Sequence, residues 1–254
     1  MKTVLITGAT RNTGLAVARR FAQAGYQIAL TSRDAAAAQT TAKMLAQAYG
    51  VQARGYAMSF DSVESIRQTF LQAERELGGL NVFVANSANL GVGLGLRNTS
   101  PEDFDSVMNV NLKGTFFCCQ CAAEGMIRSG GGSIVTIGSV QGVGAVSGRT
   151  IYGMSKAALS LLVKSMAYEL GEYGIRANNV VAGAIHSERW DSMDREELAM
   201  RRGRYPAGRE STEEEIAEAV YFLCSERAAT ITGTDLTVDS GLCACMLPYE
   251  KRGK

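Results

Sequence analysis

Thr7-Gly8-Ala9-Thr10-Arg11-Asn12-Thr13-Gly14 is the stretch on which the fold turns. A short β-rich run, residues 4–7, leads into it, and residues 15–24, with apolar side chains at helical spacing, lead out. A strand that enters a glycine-bearing turn and leaves as a helix can bring backbone N–H groups close to a phosphate, and the helix N-terminus favours negative charge there. The turn lacks Gly-x-Gly-x-x-Gly, so taken alone it fits either an anion-binding loop or an ordinary strand–helix connection.

Outward from this turn the same alternation continues. Residues 27–31, 51–57, 82–85, 134–137, 175–181 and 236–238 read as further strands. Residues 35–49, 63–77, 151–170 and 213–224 read as helices, and 104–127 as one or two more, entered through Ser100-Pro101-Glu102-Asp103. The strands are apolar on both faces, which predicts a parallel sheet of about seven strands with helices on both sides, a single doubly wound α/β domain. Residues 186–210 break the rhythm with charged residues, the only His (His186) and the only Trp (Trp190), and read as a binding loop. Residues 242–254 read as a solvated tail.

Composition narrows the function classes. The chain has 254 residues, with 26 Lys and Arg against 25 Asp and Glu, so no global field attracts nucleic acid or an anionic membrane. The first apolar run is too short for a signal peptide, and no run approaches the ~18 residues of a membrane span. The six cysteines lie in clusters, not in a stapling framework, which points to reduced thiols and a cytoplasmic location. Cys118, Cys119 and Cys121 read as small apolar packing, as do Cys243 and Cys245, and no metal site is expected.

The chemistry is carried by Tyr152-Gly153-Met154-Ser155-Lys156 at a helix start. Residues four apart share a helix face, so phenol and ammonium can enter one cleft. A free phenol, with a pKa of ~10, is a poor base at neutral pH, and a neighbouring cation favours its ionised form. Ser139 stands thirteen residues upstream, past the strand at 134–137, at the carboxyl end where such sheets bind ligands.

With these residues in place the chain resembles the short-chain dehydrogenase/reductase family, whose Rossmann-type domain opens on Thr-Gly-x-x-x-Gly-x-Gly. Gly8 and Gly14 match two of the glycines, and Asn12, which tolerates left-handed backbone, replaces the middle one. The resemblance covers residues 2–241 and implies four catalytic positions: Asn111, Ser139, Tyr152 and Lys156. Tyr152 would be the acid/base, and Ser139 would bind the carbonyl oxygen. Lys156 would bind the nicotinamide ribose and lower the phenol's pKa, and Asn111 would hold a relay water. It implies coenzyme contacts at Gly8, Thr10, Arg11, Asn12, Thr13, Gly14, Ser32, Arg33, Ser59 and Phe60. Beyond these it implies Asn86, Ser87 and Ala88 after the fourth strand, and Ala182, Gly183, Ile185 and Ser187 beside the nicotinamide.

Ser32 stands where an NAD-selecting acid would, with Arg33 next to it and Arg11 in the turn, which favours NADP(H) over NAD(H); Asp34 is the counter-indication. Gln141, Arg149, His186 and Trp190 are candidate substrate contacts. The expected activity is NADP(H)-dependent interconversion of a ketone and a secondary alcohol on a small polar substrate such as a sugar, polyol or keto acid. A 3-oxoacyl thioester or a hydroxysteroid is the alternative, and a nucleotide-binding regulatory or scaffold protein is the non-enzyme reading. Family resemblance also implies a homodimer or homotetramer through the helices at 111–127 and 152–170.

Overall fold

Each short apolar run becomes a strand because both of its faces are covered. A computed structural model describes residues 1–245, without the side chains of Glu188 and Arg189. The strands are β1 (Thr3–Ile6), β2 (Gln27–Ser32), β3 (Ala53–Ala57), β4 (Val82–Ala85), β5 (Gly132–Ser139), β6 (Ile175–Ala182) and β7 (Asp235–Val238). The helices are α1 (Asn12–Gln23), α2 (Ala35–Tyr49), α3 (Val63–Leu77), α4 (Pro101–Met108), α5 (Thr115–Arg128), α6 (Thr150–Leu170), α7 (Glu188–Asp191), α8 (Arg195–Arg202) and α9 (Glu213–Cys224).

All seven strands pair in parallel, in the order β3-β2-β1-β4-β5-β6-β7. The order reverses direction between β1 and β4, so a crevice opens at their carboxyl ends. On one face Phe21, Leu45, Ile216 and Val220 of α1, α2 and α9 pack on the sheet. On the other, Phe70, Met126 and Val163 of α3, α5 and α6 do the same. Cys118, Cys119 and Cys121 belong to that second layer, and burial pushes the Cys119 thiol up to about 12 and the Cys121 thiol to about 11. They are packing residues, as their composition suggests.

Three segments depart from the sequence reading. The helical run at 104–127 is broken by a π-helical turn, Asn109–Gly114, between α4 and α5. Only glycine fits where this turn ends: a Cβ on Gly114 would lie 2.3 Å from the Phe60 ring and 2.8 Å from the Asn109 carbonyl. The charged stretch at 186–210 is not irregular throughout but carries α7 and α8. The start of the expected tail is also ordered: Leu242–Ala244 form a 3₁₀ turn whose Cys243 N–H donates to Asp239. The rest of the tail, from Met246, lies outside the described residues.

Buried polar bonds join the central strands to the far edge. Thr136 donates to Asn179 Oδ1 at 2.8 Å, and Asn179 Nδ2 donates to Asp235 Oδ1 at 2.6 Å. Both Thr136 and Asn179 are fully buried. Asn179→Ala strands the Thr136 hydroxyl, so denaturant unfolding should show a loss of about 1–3 kcal/mol.

Candidate active site

The loops leaving β1, β2, β4, β5 and β6 all emerge at the carboxyl edge of the sheet. In the first, Gly8 (φ 64°) and Asn12 (φ 50°) both adopt left-handed backbone, so Asn12 does the conformational work of the missing glycine. Thr10 and Arg11 face outward and Thr13 is buried beneath them. Gly14 is obligatory for a different reason: a Cβ there would lie 2.3 Å from the Gly8 carbonyl. Asn86, after β4, holds the turn from behind, its Nδ2 donating to the Thr7 and Gly8 carbonyls, both at 3.0 Å. Ser87 donates its N–H to Thr7 Oγ1 at 3.1 Å, with Ala88 following.

The turn meets a chemical test for an anionic ligand. Asp34, Ser62 and Ser100 cap the first turns of α2, α3 and α4 with their side chains. No side chain caps α1, so its first-turn N–H groups stay available to a phosphate.

At the end of β2, Ser32 is half-buried and Arg33 exposed. Asp34 accepts from Ala36 N at 2.8 Å and Ala37 N at 3.2 Å, so its carboxylate is committed to the helix start. At the end of β3, Ser59 pairs with Asp61 at 3.1 Å, and Phe60 packs under the π turn.

Ser139 is the last residue of β5, and Tyr152 lies in the first turn of α6. Burial pushes the phenol above its ordinary value, against the opposing influence of the neighbouring Ser139 hydroxyl and then of the Arg149 charge. Lys156 lies one turn on, its ammonium 5.7 Å from the centroid of the Tyr152 ring. It is buried, burial lowers its pKa to about 8, and its Nζ donates to the Ile137 carbonyl at 2.7 Å.

Asn111 lies in the π turn and is buried. Its side chain is fully engaged: Oδ1 accepts from Asn89 N at 2.7 Å, and Nδ2 donates to the Asn89 carbonyl at 2.9 Å and to Ser155 Oγ at 3.0 Å. The amide clamps the β4 loop to α6. The sequence reading missed Asn89 and Ser155. Ser155 lies inside the Tyr-x-x-x-Lys motif, but nothing in its spacing marks it as the clamp's third member.

Ala182 ends β6, paired with Val238. A Cβ on Gly183 would lie 2.7 Å from Asp239, so only glycine fits where β6 leaves the sheet. Ile185 bridges Ser211, and His186 N donates to the Ser211 carbonyl at 2.8 Å. Ser187 begins the hinge into α7, its carbonyl accepting from Trp190 N at 2.7 Å. Trp190 is buried within the loop beneath the Arg201 guanidinium. Gln141 donates its N–H to Ser139 Oγ at 3.2 Å, and its buried Oε1 finds no partner among the described residues. Arg149 Nη1 donates to the Leu90 carbonyl at 2.6 Å.

A parallel sheet with this strand order, an uncapped glycine turn and a Ser–Tyr–Lys group at its carboxyl edge define a nucleotide-dependent oxidoreductase. The comparisons agree. The family model described as enoyl-(acyl carrier protein) reductase matches residues 8–243. The chain is 35% identical over 241 residues to the 3-oxoacyl-[acyl-carrier-protein] reductase of Aquifex aeolicus, covering 95% of this chain and 97% of that one. It is 33% identical to 2-(S)-hydroxypropyl-CoM dehydrogenase 3 of Xanthobacter autotrophicus, over 95% of this chain and 96% of that one. A 7α-hydroxysteroid dehydrogenase solved with NADH and 7-oxo glycochenodeoxycholic acid superposes with a TM-score of 0.87 at 32% identity, covering 94% of this chain and 93% of that one. The chain belongs to the short-chain dehydrogenase/reductases, oxidoreductases of CH–OH groups that use a nicotinamide coenzyme.

Lys156 supplies a test of the site's electrostatics. Its folded-state pKa of about 8 lies below the ordinary 10.5, so the native protein sheds this proton first. The wild type should therefore gain stability from this group as pH rises from about 8 to 10.5. Lys156→Met lacks that gain, so the stability difference between variant and wild type should shift by up to about 3 kcal/mol across the window. Urea unfolding of both proteins at the two ends of the range measures it.

Proposed function

We propose that the chain is an NADP(H)-dependent oxidoreductase that interconverts a ketone and a secondary alcohol. The observation that carries this reading is Tyr152 on α6 with Ser139 at the end of β5 beside it and the buried Lys156 ammonium 5.7 Å from its ring. The bound coenzyme supplies or accepts the hydride. Ser139 orients the phenol and donates to the substrate oxygen. Tyr152 gives its proton to that oxygen during reduction and takes it back during oxidation. Lys156 holds the ribose hydroxyls and hands on the proton, and the clamped Asn111 turn positions the path to solvent. The α1 N-terminus, between Gly8 and Gly14, would hold the pyrophosphate, Phe60 and Ser59 would border the adenine, and Gly183, Ile185 and Ser187 would meet the carboxamide. Tyr152→Phe should lower turnover by about a thousandfold while coenzyme titration gives an unchanged dissociation constant; full turnover in that variant would refute the role.

Three features favour NADP(H). Ser32 leaves room for a 2′-phosphate, Arg33 and Arg11 are exposed and cationic beside it, and Asp34 is spent as a helix cap. The neighbours solved with NADH and with NAD⁺, a hydroxysteroid dehydrogenase and a xylitol dehydrogenase, mark the competing outcome. Arg33→Ala should raise KM for NADPH about tenfold or more and leave that for NADH nearly constant; the reverse pattern in steady-state assays would make the chain NAD-dependent.

For substrate, the unpartnered Gln141 Oε1 and the Arg149 guanidinium favour a small polar carbonyl compound, such as a sugar, polyol or keto acid. A 3-oxoacyl thioester or hydroxysteroid is the second reading, favoured by exposed Leu90, Val92 and Leu96 in the loop that Arg149 and Thr150 tie down. A carbonyl panel with both coenzymes separates them.

Assembly follows from α6. Met154, Leu161 and Tyr168 are exposed at seven-residue spacing, with Phe116 exposed on α5. A homodimer or homotetramer through these helices, in a cytoplasmic setting of reduced thiols, fits them. Sedimentation should give a multiple of 27.0 kDa for the wild type, and Leu161→Arg should shift it to the monomer.

A further inference from the structure

Glu210 is a heavily engaged carboxylate away from the catalytic group. Its side chain is almost fully buried where the 186–210 segment returns to the body of the protein. Arg202 of α8 donates to it from Nε at 2.8 Å and from Nη2 at 2.6 Å. From the other root of the segment His186 Nδ1 meets its Oε1 at 2.7 Å. The same imidazole reaches Asp191 of α7 through Nε2 at 3.0 Å. Glu210 and His186 therefore bring together the segment's entry, its exit and both of its helices.

We propose that Glu210 is a positioning residue that ties the two roots of the substrate loop together, and that His186 is the tie that a proton makes or releases. Two carboxylates face the imidazole, one on each nitrogen. The imidazolium has an N–H for each; the neutral ring has only one. When the proton leaves, one carboxylate faces a bare lone pair. Glu210 keeps Arg202, so the contact that gives way is the exposed Asp191, and with it α7, which carries Trp190.

The remaining charged groups around the pair support that direction. Glu213, at the start of α9, also acts on His186, and Tyr205 and Arg209 act on Glu210. The hydrogen bond from Glu210, then Asp191, raises the imidazole pKa above its ordinary 6.5, while Arg202 first, then His186, holds Glu210 down to about 2. A raised pKa in the closed loop means that the tie is complete below the free value and is lost as pH rises through the raised one. Glu210 stays ionised throughout. The loop should thus cover the cleft more firmly at neutral and mildly acidic pH than at alkaline pH, which suits retention of substrate in the reductive direction and release in the oxidative one.

The inference rests on residues 186–210 being the loop over the substrate, as read above, but its test needs neither substrate nor coenzyme. Trp190 is the only Trp in the chain and lies buried in this loop, so its fluorescence reports closure directly. Acrylamide quenching of the full-length protein should strengthen about twofold or more from about pH 6 to about pH 9. His186→Gln and Asp191→Asn should be strongly quenched at both ends, with no pH step. Glu210→Gln should be at least as exposed throughout, and its circular dichroism checks that it folds. His186→Gln and Asp191→Asn alter partly exposed side chains and carry the test should Glu210→Gln not fold. A pH-independent wild type, or a His186→Gln variant that keeps the wild-type step, would overturn the proposal and leave the Tyr152 and Arg33 tests untouched.

Discussion

A buried ammonium is the constraint around which this molecule is arranged. Lys156 lies in the packed seam between α6 and β5, where an isolated charge is strongly disfavoured, and its ammonium donates to the Ile137 carbonyl. The tension is visible in its pKa, drawn down to about 8 by burial. Its consequences spread through the helix. Tyr152 must share its face, Ser139 must meet the phenol from the strand below, and Ser155 must face the other way to hold Asn111.

The parallel sheet makes such convergence possible. Every strand ends at the same edge, so residues far apart in sequence arrive there on short loops. Polar side chains then lock the loops to one another. Asn86 fastens the β4 loop to the glycine turn, Asn111 fastens it to α6, and Glu210 fastens the return of the long loop to its start. Each lock satisfies buried donors or acceptors that would otherwise be destabilising. The helix starts divide between two uses. Side chains cap α2, α3 and α4 and so close them, whereas α1 is left open toward the crevice.

Asp34 illustrates how one residue type serves two ends. Its distance from Gly14 makes it a fair candidate for a ribose-binding acid, yet its carboxylate turns to the N–H groups of Ala36 and Ala37. The choice was not legible from spacing, because an acid before a helix satisfies both rules equally. Asn12 is the opposite case: a departure from the glycine pattern that backbone chemistry absorbs, with φ at 50°. Ser240 repeats the device at φ 57°, in the turn where Asp239 gathers the N–H groups of Gly241 and Cys243.

Periodicity and turn chemistry, which are local, determined the alternation of strands and helices, the parallel sheet, and the membership of Ser139, Tyr152 and Lys156 in one cleft. The bounds expected for α2, α3, β4 and α9 agree with the structure because caps and apolar spacing are written within each segment. Only the tertiary structure decided that Phe60 would pack against Gly114 at the end of the π turn, that the Asn111 amide would be consumed by Asn89 and Ser155, and that His186 would stand between two carboxylates. Those contacts join residues tens of positions apart, or set one partner against another of equal local merit, and the choice falls to the arrangement that leaves the fewest buried groups unpaired.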